Sequence, residues 1–151
     1  GTQNYEAAAG ITAAVNYLAT LGDRFGGAAE GSSRATRLSC AWDAVMAHEK
    51  DLTLCFLEGA AVIPGLHVVG ITDTANQTER TPTFAVAKDG LTAKQLADAL
   101  CEKNIWCTSG NHYAGFWAEH TPWPEGMARL GFLHYNTTEE VQHVVQVLAD
   151  L

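Results

Sequence analysis

Positive charge is what this chain has least of. Nine lysines and arginines stand against seventeen aspartates and glutamates in 151 residues, giving a formal charge of −8 and a pI near 5.1. A nucleic-acid partner would have to be met by basic residues that neutralise its phosphates, so the balance argues against nucleic-acid binding. Long apolar runs are missing too. No stretch approaches the roughly 20 residues of a membrane span, and no basic segment followed by a hydrophobic one opens the sequence. The expectation is a soluble, cytoplasmic protein without a membrane partner. The four cysteines, Cys40, Cys55, Cys101 and Cys107, include no CxxC pair. Each lies among apolar or helical neighbours, where a thiol packs as a small hydrophobe, and reduced thiols are expected over disulfides or zinc. Without secretory features the sequons at Asn76 and Asn136 carry no weight. There is no internal repeat, no low-complexity tract and no linker long enough to divide the chain.

What is present is the material of one globular domain: 47% hydrophobic and 17% charged residues place the chain away from disordered and fibrous classes, and its length allows a buried core. "YEAAAGITAAVNYLATLG" sets Ile11, Ala14, Val15, Leu18 and Leu21 at helical spacing, with Gly22 where a C-terminal cap belongs. After the loop "GGAAEGSS", a longer helix carries Leu38, Trp42, Val45 and Met46 on one face. "LHVVGI" and "TPTFAVAKDG" read as strands bounded by turn residues. Thr92 with Gln95 has capping-box spacing and opens a helix with Leu96, Ala99 and Leu100 inward. "NIWCT" reads as a short strand, "SGNHYAGFWAEHTPWPEG" as a long aromatic loop and "MARLGFLHY" as a further strand. Thr137 with Glu140 repeats the capping box before a last helix striped by Val141, Val144, Val145 and Leu148. Helices first, then strands mixed with helices, give an α+β class: a small mixed or antiparallel sheet of three to four strands covered on one face by helices.

Two features carry possible chemistry. The loop from Ser109 to Gly126 holds His112, Tyr113, Phe116, Trp117, His120 and Trp123, more aromatic surface than a solvent loop needs, and reads either as a cover over a site or as a satellite cluster pinning the loop. His112, His120 and His134 match no metal-ligand spacing. Arg129 puts a guanidinium into an apolar strand. Taken alone, it is also what an edge strand carries when an arginine packs its stem and sends its head to water.

In order, "GTQN", two helices, "IPGLHVVG", "RTPTFAVAKDGLTAKQLADALCEKNIWCTSGNHY" and "ARLGFLHYNTTEEVQHVVQVL" resemble the C-terminal part of class V aminotransferases, the cysteine-desulfurase-like group of pyridoxal-phosphate enzymes. The resemblance implies that residues 1–151 form a single C-terminal domain of fold type I, and that a cofactor domain bearing the Schiff-base lysine precedes Gly1. It implies that Arg129 binds the α-carboxylate of an amino-acid substrate, with His112 and Tyr113 in the substrate-facing loop. Thr2 would reach the cofactor phosphate of a neighbouring subunit, which makes a homodimer with shared sites the expected assembly. None of Lys50, Lys88, Lys94 and Lys103 matches the family's cofactor lysine, so the chain alone is expected to be inactive and to hold no pyridoxal phosphate. Tyr113 stands where desulfurases carry their nucleophilic cysteine, and Thr108 where a second arginine is expected, which points away from persulfide chemistry toward another lyase, aminotransferase or epimerase reaction. A free-standing α+β module binding a carboxylate ligand or a protein partner is the competing reading, and a structural dimerisation domain the third.

Overall fold

The computed structural model describes residues 1–151 and every side chain but that of Thr78. Residues 1–48 and 49–151 form two compact units, and helix α2 (Arg34–Ala60) runs through the boundary.

In the first unit, helix α1 (Tyr5–Arg24) begins where Asn4 Oδ1 accepts a hydrogen bond from the Ala7 amide at 2.9 Å. Its end differs from the sequence reading. Gly22 lies inside the helix, which runs on to Arg24, and Phe25 occupies the cap position with its N–H bonded to Leu21 O. The glycine is there for proximity: a Cβ at Gly22 would meet Arg37 O at 1.9 Å. Asp23 and Arg37 pair across the same approach. Arg37's hydrogen bonds, reinforced by its charge, hold the Asp23 carboxyl below the usual aspartate range. The expected apolar stripe is only partly covered. Val15, Leu18 and Leu21 are half-buried while Ile11 and Ala14 are exposed; on α2, Ala41 and Val45 are buried while Trp42 and Met46 face solvent.

The second unit is a four-stranded sheet under a helix layer. Strands β1 (Leu66–Val69), β2 (Thr83–Lys88), β3 (Thr108–Gly110) and β4 (Met127–Gly131) are ordered β1-β2-β4-β3, every pair antiparallel. The α+β expectation of a small sheet covered by helices holds. Leu52, Phe56 and Leu57 of α2, Leu96 and Leu100 of α3 (Ala93–Glu102), and Val141, Val144 and Leu148 of α5 (Thr138–Asp150) pack with Phe84, Val86, Ala128 and Leu130 of the sheet into one core. Phe56, Phe84 and Phe132 meet at its centre with ring centroids 4.2 to 5.9 Å apart. Rings at such separations add to the burial of their area. Both capping boxes form as the sequence predicts, at Thr92–Gln95 and Thr137–Glu140.

Two strands are shorter or shifted relative to the sequence reading. "NIWCT" contributes only Thr108 to the sheet, because its first residues close α3. Asn104 adopts φ 62°, and the amides of Asn104 and Ile105 donate back to Cys101 O and Leu100 O, leaving Ile105 buried but unladdered. β4 ends at Gly131 and not Tyr135, because Leu133 N donates to Asn136 Oδ1 and Asn136 N to Leu133 O, a local turn that leads straight into the α5 cap.

Candidate functional site

Alternation along β4 decides where Arg129 points. Ala128 and Leu130 are buried in the core below the helices, so Met127, Arg129 and Gly131 belong to the opposite face. The strand is internal, flanked by β2 and β3, and Arg129 pairs with Ala85 on one side and Thr108 on the other. The edge-strand reading therefore fails. Arg129 is exposed at the middle of the sheet's open face between two small neighbours, and among the described residues it makes no hydrogen bond or ion pair. Arg80 provides the contrast. Its guanidinium donates to Ile71 O and Thr83 O and lies 4.1 Å from the Phe84 ring centroid, and burial lowers its pKa. One arginine is consumed by the fold and the other is presented by it.

At one end of this face, with Trp123 resting on His67 of β1, lies the loop between β3 and β4. Its two ends pinch together, since a Cβ on Gly126 would lie 2.0 Å from the carbonyl carbon of Gly110. Midway, a short helix α4 (Gly115–Glu119) buries Ala118, and Trp123 stacks on His67 of β1 with ring centroids 5.3 Å apart. His67 Nε2 in turn bonds Asp89 Oδ1 at 2.8 Å, across the turn that follows β2. On the same face of the sheet Met127 and Ala87 are buried. The His67 anchor was not singled out from the sequence; a polar residue at an alternate position of "LHVV" is the signal that marks it.

The sequence-derived site residues divide between the two units. His112 and Tyr113 share the second unit with Arg129, in the segment leaving β3. Both have left-handed backbones, φ 49° and 67°, a conformation that residues with side chains rarely adopt. Asn111 holds the turn, its Oδ1 accepting from Tyr113 N at 3.1 Å and its carbonyl from Ala114 N at 2.8 Å, while His112 Nε2 lies 3.2 Å from Met127 O. Tyr113 projects fully into solvent. Thr2 belongs to the first unit, exposed ahead of α1.

Other chemistry is less well placed. Among the described residues no group of three or more His, Cys, Asp or Glu could hold a metal ion. His120 instead bonds Phe116 O through Nδ1 at 2.7 Å. Cys107 packs partly buried against the core, and desolvation, aided by Cys101, pushes its thiol pKa up. That suits a packed thiol and not a nucleophile. The lysines lie away from the Arg129 face: Lys50 on α2, Lys94 and Lys103 with α3, and Lys88 on the helix side of β2 with Nζ bonded to Leu148 O. A groove of about 600 Å³ lined by Lys103, Trp106, Phe132, Glu139 and His143 contains none of Thr2, His112, Tyr113 and Arg129. No helix among the described residues is long and apolar enough to cross a membrane.

Comparison with known proteins agrees with this architecture. Aminotransferase-like protein FGM3 of Gibberella zeae is 26% identical over 113 residues, which cover 71% of this chain and 27% of that protein. Among solved structures, the apo cysteine desulfurase of Thermococcus onnurineus NA1 superposes with a TM-score of 0.62 at 19% identity, covering 78% of this chain and 29% of that one. The cysteine desulfurase CsdA of Escherichia coli gives 0.58 at 21%, covering 81% and 31%. At those identities the superpositions speak for the fold alone. The chain thus spans less than a third of each of these longer proteins. The sequence profile of the aminotransferase class-V family, a group of pyridoxal-phosphate enzymes, matches residues 30–144. With well over half its length so matched and the fold shared, the chain belongs to the aminotransferase class-V family.

Proposed function

We propose that this chain is the substrate-carboxylate-binding and dimerisation part of a longer class V pyridoxal-phosphate enzyme that acts on an amino acid, and that it is inactive by itself. Arg129 receives the α-carboxylate, with His112 and Tyr113 beside the substrate, and Thr2 reaches the cofactor phosphate of a second subunit. The observation that carries the reading is the exposed guanidinium on an internal strand, without a hydrogen bond or ion pair among the described residues. A planar fork on an internal strand is fixed at its base by two neighbouring strands and free at its tip, which suits bidentate pairing with a carboxylate.

The chain's own residues do not complete a cofactor site. Its four lysines lie on helices α2 and α3 or on the helix side of β2, none on the face that carries Arg129. No catalytic step is therefore assigned to them. What this chain contributes is binding: Arg129 orients the substrate, and the β3–β4 loop excludes water from one end of the face.

The test is Arg129→Lys in the longer protein that carries this chain. Charge is kept and the fork lost, so amino-acid affinity is expected to weaken by roughly 1.5–3 kcal/mol with the thermal midpoint unchanged. Unaltered affinity would return Arg129 to a surface role.

A further inference from the structure

The sheet opens at one corner. Strands β3 and β4 are laddered from Gly110–Met127 to Thr108–Arg129 and no farther. Ahead of Thr108 the chain is drawn to α3, where Ile105 N donates to Leu100 O, while past Arg129 strand β4 stays with β2, Gly131 opposite Thr83 and Phe132 N donating to Pro82 O. The two strands part. Backbone groups of successive residues point to opposite sides of a strand, so with those of Phe132 turned to β2, the N–H and C=O of Gly131 face the side that β3 has left. Among the described residues neither is hydrogen-bonded there.

The gap is the groove of about 600 Å³, within the roughly 300–1,000 Å³ of small-molecule sites. Leu130 and Val144 in its lining belong to the core under the helices, so it opens on the helix side of β4, whereas Arg129 belongs to the opposite face. Ile105 and Phe132 extend that apolar floor, and Trp106, 84% exposed, stands in the wall. From α5 come two carboxylates. Glu140 is fixed, its Oε2 accepting from Thr137 N at 2.9 Å and Asn136 Nδ2 at 3.0 Å while Oε1 takes no bond among the described residues; Glu139 makes neither hydrogen bond nor ion pair among them. One lysine, Lys103, stands against the pair. An anionic ligand would therefore meet two like charges, whereas an ammonium ion, which only donates, finds the Gly131 carbonyl on β4 and both carboxylates on α5. The indole and the apolar floor suit a ring.

We infer that this groove binds a small organic cation, a primary amine joined to an aromatic ring, with the ammonium on Glu139, Glu140 and the Gly131 carbonyl and the ring against Trp106. The inference does not depend on the carboxylate reading of Arg129. Its test is calorimetric titration of the chain with phenethylamine, with hydrocinnamate, which keeps the ring and reverses the charge, and with butylamine, which keeps the charge and drops the ring. Phenethylamine is expected to bind saturably, one per chain, at least about tenfold more tightly than either of the others. Trp106→Ser, altered at an exposed position, is expected to keep its thermal midpoint and bring phenethylamine to within about threefold of butylamine. The double variant Glu139→Gln, Glu140→Gln is expected to stay folded, since α3 closes the same capping box with Gln95, and to compress the preference for phenethylamine over hydrocinnamate to about threefold or less. Absence of saturable phenethylamine binding, or equal affinity for all three probes, would overturn the site. A ring preference that survives Trp106→Ser, or a charge preference that survives the double variant, would place the binding elsewhere on the chain and overturn it as well.

Discussion

Two glycines at the base of the loop show how much a single residue can decide. Gly126 has φ 94°, and an added Cβ would run into backbone atoms of Gly110 and Asn111 2.0 to 2.5 Å away, which cannot rotate aside as a side-chain tip can. Gly90 also has a positive φ, 81°, but faces open space. Alanine at Gly90 meets only the conformational cost, about 1 kcal/mol, whereas alanine at Gly126 adds a backbone clash and is expected to cost at least about 2 kcal/mol. Urea denaturation of the two variants checks this, and equal losses would mean that the loop base yields more easily than its contacts imply. The same scale explains the two arginines. Arg80 and Arg129 look alike in sequence, each near an apolar strand, and only the fold separates the one bonded to three carbonyls from the one with no hydrogen bond or ion pair among the described residues.

Elements whose signals are local were legible in advance. The caps of α3 and α5 needed only a threonine followed three residues later by Gln or Glu, and both boxes form. Glu140 accepts hydrogen bonds from Thr137 N at 2.9 Å and Asn136 Nδ2 at 3.0 Å, and these, the backbone bond first, hold its carboxyl below the usual value of 4.5. A carboxyl depressed in the fold contributes stability above its ordinary value and loses it as pH falls through the lower, folded one. The stability difference between the parent chain and Glu140→Gln is therefore expected to be steady near neutrality and to shrink as pH drops below about 4.5, measured by denaturation at each pH. Thr137→Ala, which removes the other half of the box, should cost about 1 kcal/mol. Elements that depend on distant partners were misjudged. Gly22 looked like a cap because sequence cannot show Arg37 O waiting beside it, and "NIWCT" looked like a strand although its first two amides are taken by the end of α3. Of the candidate site, the sequence could show only an arginine in an apolar strand; its place on an internal strand and the His67–Trp123 anchor needed the register of β1 through β4.

At the scale of the whole molecule, the uncovered apolar side chains and the net charge oppose one another. In the first unit Tyr5 and Ile11 are 67% exposed, Trp42 54% and Met46 67%, on helices whose spacing looked made for burial. Exposed apolar surface of that kind drives association, while a charge of −8 on every copy resists it. Ionic strength selects the winner. At about 0.01 M salt the Debye length is about 30 Å and the repulsion reaches across a contact; at about 0.15 M it falls to about 8 Å and the repulsion is largely screened. The chain by itself is expected to bind a hydrophobic dye and to sediment as larger species as salt rises from the first value to the second. In the proposed longer protein the same residues would be covered, and dye binding should fall. Replacing Ile11, Trp42 and Met46 by glutamine should suppress the association without unfolding the chain, because none of the three is buried. A monomer at every salt concentration that leaves the dye dark would mean that these side chains are satisfied in solution, and would remove the support that an uncovered first unit lends to a missing partner.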